Sequence, residues 1–228
     1  MDNKLFSALK PVMPVLAMSL LFGCATTETH QALVVDKVNS ASVNYTGVKS
    51  SLVVGKFDNR SGFMRGLFSD GNDRLGSQAK TILISHLQQS NHFNVMDRDN
   101  MAEAKQEANL GGKTQSIKSA RYLITGDITD FGRKETGDQQ LFGVLGRGKS
   151  QVAYAKITLN VVNALTSEIV YSVQGAGEYA LSNREVIGFG GTAEYDSTLN
   201  GKVLDLAIRE AVNRLVEGVD NGAWKPEN

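Results

Sequence analysis

"AKITLNVVNALTSEIVYSVQGAGEY", residues 155–179, decides how the chain folds. Read with the residues just before it, "QVAYAKITLNVVN" sets Ala153, Ala155, Ile157, Leu159 and Val161 in alternation with Val152, Tyr154, Lys156, Thr158 and Asn160. A period of two, rich in β-branched residues, is the mark of a strand with one buried face. A turn at about Leu165 to Ser167 sends a second strand back beside the first, so the stretch is an antiparallel hairpin.

That reading settles a question raised immediately upstream. Gly143, Gly148, Lys149 and Ser150 stand at the spacing G-x-x-x-x-G-K-S, the pattern of a phosphate-cradling loop. Such a loop needs a buried strand before it and a helix after it, whose N-terminal amides face the phosphates. Here "RKETGDQQ" precedes it, too polar for a core strand, and the alternating strand follows it. No apolar run ending in Asp follows to hold magnesium. The residues argue against a nucleotide site and leave the Gly-rich stretch to be explained otherwise.

The remaining elements follow from periodicity and caps. "SLVVGKF", 51–57, is a strand, and Asp73 caps a helix to about Gln89 whose face is Leu75, Ala79, Ile82, Leu83 and Leu87. "FNVMDR" is a strand at 93–98; a helix capped by Asp99 and stopped by Gly111 comes next, then the strand "ARYLITGDITDF". From Lys202 to Glu217 a helix carries an apolar stripe, with Asp205/Arg209 and Glu210/Arg214 as outward i, i+4 pairs and Gly218 as its end. The order β-α-β-α-β-β-β-α predicts an α+β domain, helices packed on one mixed sheet.

Composition limits the function classes. With 24 basic and 24 acidic residues the formal charge is zero, so neither nucleic acid nor an anionic surface is implied as partner. Three Pro against 23 Gly leaves the turns and tight approaches to glycine. His30, His86 and His92 lack metal-ligand spacing and read as surface histidines. No catalytic motif, cofactor motif or metal-binding pattern stands out.

The N-terminus places the protein. "MDNKLFSALKPVMPVLAMSLLFGCATTET" has a basic start, a short apolar run and then Gly23-Cys24, a secretory signal too short to span a membrane. Cys24 is the single cysteine, so it forms no internal disulfide. Leu21-Phe22-Gly23-Cys24 resembles the lipidation box of bacterial lipoproteins, and Ala25 after it, where an inner-membrane protein carries Asp, favours the outer membrane. The expected organisation is a signal at 1–23, a lipidated polar tether at 24–48 and a domain at 49–228.

Three segments stand outside the core pattern. "DNRSGFMRGLFSDGND", Asp58 to Asp73, is a long loop whose Phe63 and Phe68 either pack on the domain or meet something outside it. Inserts of about 20 residues at 132–151 and 180–199 have Gly-flanked apolar centres, "LFGVLG" and "VIGFGG".

The order of elements, the lipidation box, "VVGKF", "ITGDITDFG", the "FGVLG" insert, the 157–173 hairpin and "VDNGAW" together resemble the CsgG family and its HfaB-like relatives. The resemblance runs through most of the mature chain and rests on collinearity, not on a short signature. It implies an outer-membrane lipoprotein facing the periplasm, with a ring of identical protomers forming a secretion channel for an exported protein. Accessory envelope lipoproteins are expected as partners. Each protomer of such a ring sends two β-hairpins into a shared barrel, because a closed barrel leaves no strand edge in lipid. By this resemblance the hairpin residues are Leu141, Phe142, Val144, Leu145, Val186, Ile187 and Phe189. The channel constriction falls on the loop holding Phe63, Phe68 and Asp70. Yet Gly132 to Gln140 lacks the alternation of a membrane strand, and Arg184 with Glu185 charges both faces of the second insert. Two readings stay open: a pore, and a periplasmic scaffold that organises an envelope assembly.

Overall fold

A computed structural model describes residues 36–63, 73–139, 147–185 and 198–227, all within one unit spanning Asp36–Asn228. Its strands are β1 (Ser50–Asn59), β2 (Phe93–Met96), β3 (Tyr122–Gln139), β4 (Arg147–Asn163) and β5 (Ile169–Glu185). Its α-helices are α1 (Arg74–Gln89), α2 (Met101–Leu110) and α3 (Thr198–Asp220). The sheet runs β2-β1-β3-β4-β5, with β1 parallel to β2 and β3, and β4 antiparallel to both β3 and β5. This is the α+β arrangement, with the element order that the periodicity predicts.

Alternation builds one buried face. Leu52, Val54, Ile124, Ile128, Ile157, Leu159, Val161 and Val173 lie under Ala79, Leu83 and Leu87 of α1 and Val203, Leu204, Ala207, Ile208, Ala211 and Leu215 of α3. Each fully buried Leu or Ile contributes about 1.5–3 kcal/mol. The β4–β5 turn closes as the sequence indicates: the Asn163 side-chain oxygen accepts from the Leu165 and Thr166 amides, and Ser167 takes φ 61°. At that end of the sheet Trp224 is buried against Phe93, Tyr122 and Tyr171.

Several expectations are corrected. Gly218 does not end α3; the helix runs through it to Asp220, because a bare Gly218 makes room for Tyr171, whose hydroxyl would sit 2.4 Å from a Cβ there. The stop is Gly222, at φ 74°. Asp99 does not cap α2: Asn100 is the N-cap, and Asp99 pairs with Lys80 at 2.6 Å. Asp97 organises that corner, and hydrogen bonds from the Asn100 side chain and the Asp99 amide hold its carboxyl below the usual range. Glu210 and Arg214 do pair at 2.8 Å, but Asp205 lies 2.8 Å from His86 Nε2 and Arg209 reaches Asp36 at 2.7 Å. His86 and His92 are each only 2% exposed, not surface residues; Asp205 and Asp220 give them polar partners inside the fold. His30 lies outside the described residues.

Candidate site: the polar ribbon and the loop beside it

β1 ends at Asn59, opposite Ile128, while β3, β4 and β5 continue. Beyond the last buried apolar residue of β3, Phe131, these three strands form a ribbon of their own. From Gly132, paired with Tyr154, to Gln139, paired with Arg147, it extends eight residues, or seven steps, ~24 Å at the usual strand rise. Residues 132–139 and 147–151 of the first insert are therefore paired strand, and β5 runs on into the second insert as far as Glu185. Lys149 pairs with Gly137 on one side and Asn183 on the other. Gly148, Lys149 and Ser150 thus occupy a central strand that stays a strand to Asn163, where a phosphate loop would pass into a helix.

Register places the ribbon's residues in rungs. One alternating set is Lys134-Val152-Ala180, Thr136-Ser150-Ser182 and Asp138-Gly148-Arg184. The other is Glu135-Gln151-Leu181, Gly137-Lys149-Asn183 and Gln139-Arg147-Glu185. Both sets contain charged residues, so neither supplies the continuous apolar strip of a lipid-facing wall. An insert without alternation still folds as strand, because ladder hydrogen bonds join backbone groups whatever the side chains.

The first turns of α3 brace the ribbon's base. Arg133 Nε donates to Asn200 Oδ1 at 2.9 Å, and Lys202 Nζ lies 5.3 Å from the centre of the Tyr179 ring. Lys134 Nζ stands 5.1 Å from the Tyr154 ring centre in a matching cation–π contact. Sequence reasoning missed all three contacts, since no local spacing links residues on separate elements, Arg133 and Asn200 being 67 positions apart.

The loop after β1 leaves from this same end. Asp73 closes its base: Oδ1 accepts from the Gly76 amide at 2.8 Å and Oδ2 from the Asn59 amide at 2.6 Å. Within the base, Asn59 Oδ1 accepts from the Ser61 hydroxyl at 2.6 Å, and Asn59 Nδ2 donates to the Phe63 carbonyl at 3.1 Å. Phe63 packs on the domain, its ring 4.8 Å from that of Phe131. Arg60 Nε donates to Asp127 at 2.5 Å, and that carboxylate raises the arginine's pKa further. Phe68, Asp70, Leu141, Phe142, Val144, Leu145, Val186, Ile187, Phe189 and Cys24 lie outside the described residues. The described chain on either side of 64–72, 140–146 and 186–197 nonetheless converges on one end of the sheet.

Among the described residues no group of His, Cys, Asp and Glu is placed to hold a metal ion, and no helix is long and apolar enough to cross a membrane. Comparison with known proteins then decides the family. The family described as "Curli production assembly/transport component CsgG" matches residues 35–228. The chain belongs to the CsgG family. A relative in Neisseria meningitidis serogroup B (strain ATCC BAA-335 / MC58), provisionally named lipoprotein NMB1126/NMB1164, is 65% identical over 215 residues, covering 94% of this chain and 96% of that one. Solved structures are more distant. The Paraburkholderia phytofirmans PelC dodecamer has TM-score 0.35 and 12% identity, covering 72% of this chain and 87% of its own. Lipoprotein GNA1162 of Neisseria meningitidis has TM-score 0.34 and 14% identity, covering 75% and 99%. As a CsgG family member the chain carries its family match across every described element, ribbon included, and begins it at residue 35, next to the first described residue.

Proposed function

We propose that this protein is an outer-membrane lipoprotein, anchored through Cys24, that assembles as a ring of identical protomers and serves the assembly or export of a surface or extracellular protein. The observation that carries this reading is the CsgG family match over residues 35–228, a family described by assembly and transport. The signal ending in Leu21-Phe22-Gly23-Cys24 and the lipoprotein name of the 65% identical relative support the anchor. The geometry adds a projecting ribbon at the end of the sheet where the loop after β1 also emerges.

One observation favours a second reading. Charged residues in both sets of rungs suit a ribbon standing in water, as in a scaffold that organises an envelope assembly without lining a pore. Electron micrographs of the detergent-solubilised, lipidated protein test the ring. Closed rings of uniform size are expected; single particles of protomer size at every protein concentration would overturn the oligomeric reading.

A further inference from the structure

The chain has two Asn-Gly pairs, Asn200-Gly201 inside α3 and Asn221-Gly222 just past its end. Such pairs share one reaction: the glycine nitrogen, unshielded by any Cβ, attacks the asparagine side-chain carbonyl carbon. What each pair does depends on how its backbone is held. Asn200 lies in the first turn of α3, its Oδ1 accepting from Arg133 Nε at 2.9 Å. Helical backbone tilts each Cβ towards the helix N-terminus, away from the next amide nitrogen, so this pair is protected.

Asn221 is exposed, together with Gly222 and Ala223. Three hydrogen bonds close the turn around it. The Gly222 amide donates to the Val219 carbonyl at 3.1 Å, the Ala223 amide to Asn221 Oδ1 at 3.0 Å, and the Trp224 amide to the Gly218 carbonyl at 3.0 Å. With Gly222 at φ 74°, the first of these is half of a Schellman closure. While they stand, the attacking nitrogen is engaged by Val219 and the side chain it would attack is fixed on Ala223. Trp224, 5% exposed among Phe93, Tyr122 and Tyr171, anchors the turn.

We propose that Asn221-Gly222 is a deamidation site gated by the docking of Trp224, and that its isoaspartyl product leaves this end of the sheet open. In the opened turn the Gly222 nitrogen bonds to Asn221 Cγ, the Cγ–Nδ2 bond breaks, and the Gly222 proton leaves on ammonia. Water then adds across either C–N bond of the cyclic imide, giving aspartate or isoaspartate. Aspartate keeps an oxygen for the Ala223 amide, and the turn closes again. Isoaspartate routes the main chain through an extra methylene, which takes the Gly222 amide off Val219 and Trp224 out of its site. Its carboxylate also stands beside Asp220 at the C-terminal end of α3, where the helix dipole disfavours negative charge. The reaction runs one way, so the modified fraction records the time the turn has spent open.

The test incubates the full mature chain in mildly alkaline buffer, folded and in urea, and maps its peptides by mass spectrometry that separates aspartate from isoaspartate. Both pairs should react in urea. In the folded protein Asn221 should react about tenfold slower or more, the effect of two ordinary hydrogen bonds that must open first, and Asn200 should stay unmodified. Trp224→Ala should bring Asn221 towards its rate in urea and leave Asn200 untouched. If that variant reacts at both sites its whole domain has unfolded, and Trp224→Phe, which keeps a ring in the site, gives the reading: an intermediate rate at Asn221 alone. Trp224 is the only tryptophan, so its emission should shift to the red as isoaspartate accumulates. Asn221→Gln, whose longer side chain closes the ring poorly, should abolish the shift. Equal rates at Asn221 in folded and unfolded protein, or a rate unchanged in a folded Trp224 variant, would overturn the gate. Isoaspartate at 221 with Trp224 still buried would overturn the opening.

Discussion

A Cβ on Gly175 would stand 2.1 Å from the carbonyl oxygen of Ala207 and 2.6 Å from the backbone nitrogen of Ala211. β5 and α3 therefore touch backbone to backbone, and the missing side chain sets the spacing of helix and sheet. Gly175→Ala should push α3 outward and destabilise by about 1–3 kcal/mol, as overpacking does. Gly218→Ala should cost less: its obstacle is the Tyr171 ring, which can swing, and alanine returns about 1 kcal/mol of helix propensity. Urea denaturation of both variants orders them. A Gly175→Ala protein as stable as wild type would contradict the packing described.

Asp73 joins the cap of α1 to the base of the loop after β1. Asp73→Ala should cost about 1–2 kcal/mol, the usual loss for a helix cap, and should speed exchange of the Asn59 amide, whose acceptor is removed. Asp73→Asn retains one acceptor oxygen and should fall between. If exchange at Asn59 is unchanged in the alanine variant, the loop base is held by something else.

These two sites show what the sequence could and could not reveal. Core strands and α3 were legible because a buried face imposes a period of 2 or 3.6 on local sequence. The Asp73 cap was legible for the same local reason. The ribbon's strands were not, because backbone pairing alone leaves no period in the sequence, and "RKETGDQ" reads as loop while pairing as strand. The burial of His86 and His92 is not legible in the sequence, since their partners lie 119 and 128 residues away. Gly218 reads as a helix stop in the sequence because its reason, the ring of Tyr171, lies on another element.

Lys149 lies in a central strand of the ribbon, between Gly137 and Asn183. Calorimetry with ATP and magnesium should give no saturable binding, and Lys149→Ala should leave oligomer formation intact. A micromolar dissociation constant that disappears in the Lys149→Ala protein would reinstate the nucleotide reading.

Lipid on Cys24 is expected from the residues that precede it and from the lipoprotein relative. Cells fed a clickable palmitate should label the wild-type protein, which should fractionate with the outer membrane. The Cys24→Ala protein should carry no label and leave that fraction. Equal labelling of the two would sink the anchor.

Pore and scaffold part company at the apolar centres of the two inserts. Single cysteines at Val144 and Ile187, with lipidated Cys24 retained, can be probed in whole cells with a bulky impermeant maleimide. A pore should give labelling from outside the cell, or labelling by a lipid-soluble reagent alone. Access at both positions only after the outer membrane is permeabilised would leave the scaffold.

Leu52 of β1 pairs with Tyr122 of β3, seventy residues further along the chain, whereas β4 and β5 meet across a five-residue turn. Folding kinetics inherits that asymmetry, because local pairings close quickly and distant ones wait. The β3–β4–β5 meander can form from neighbouring sequence, but the apolar run of β1, synthesised first, has no β3 edge until seventy more residues exist. Through that interval "SLVVGKF" can pair at most with the short edge strand β2, itself forty-three residues on from Ser50 to Phe93, and the nascent chain is most exposed to aggregation at its own beginning.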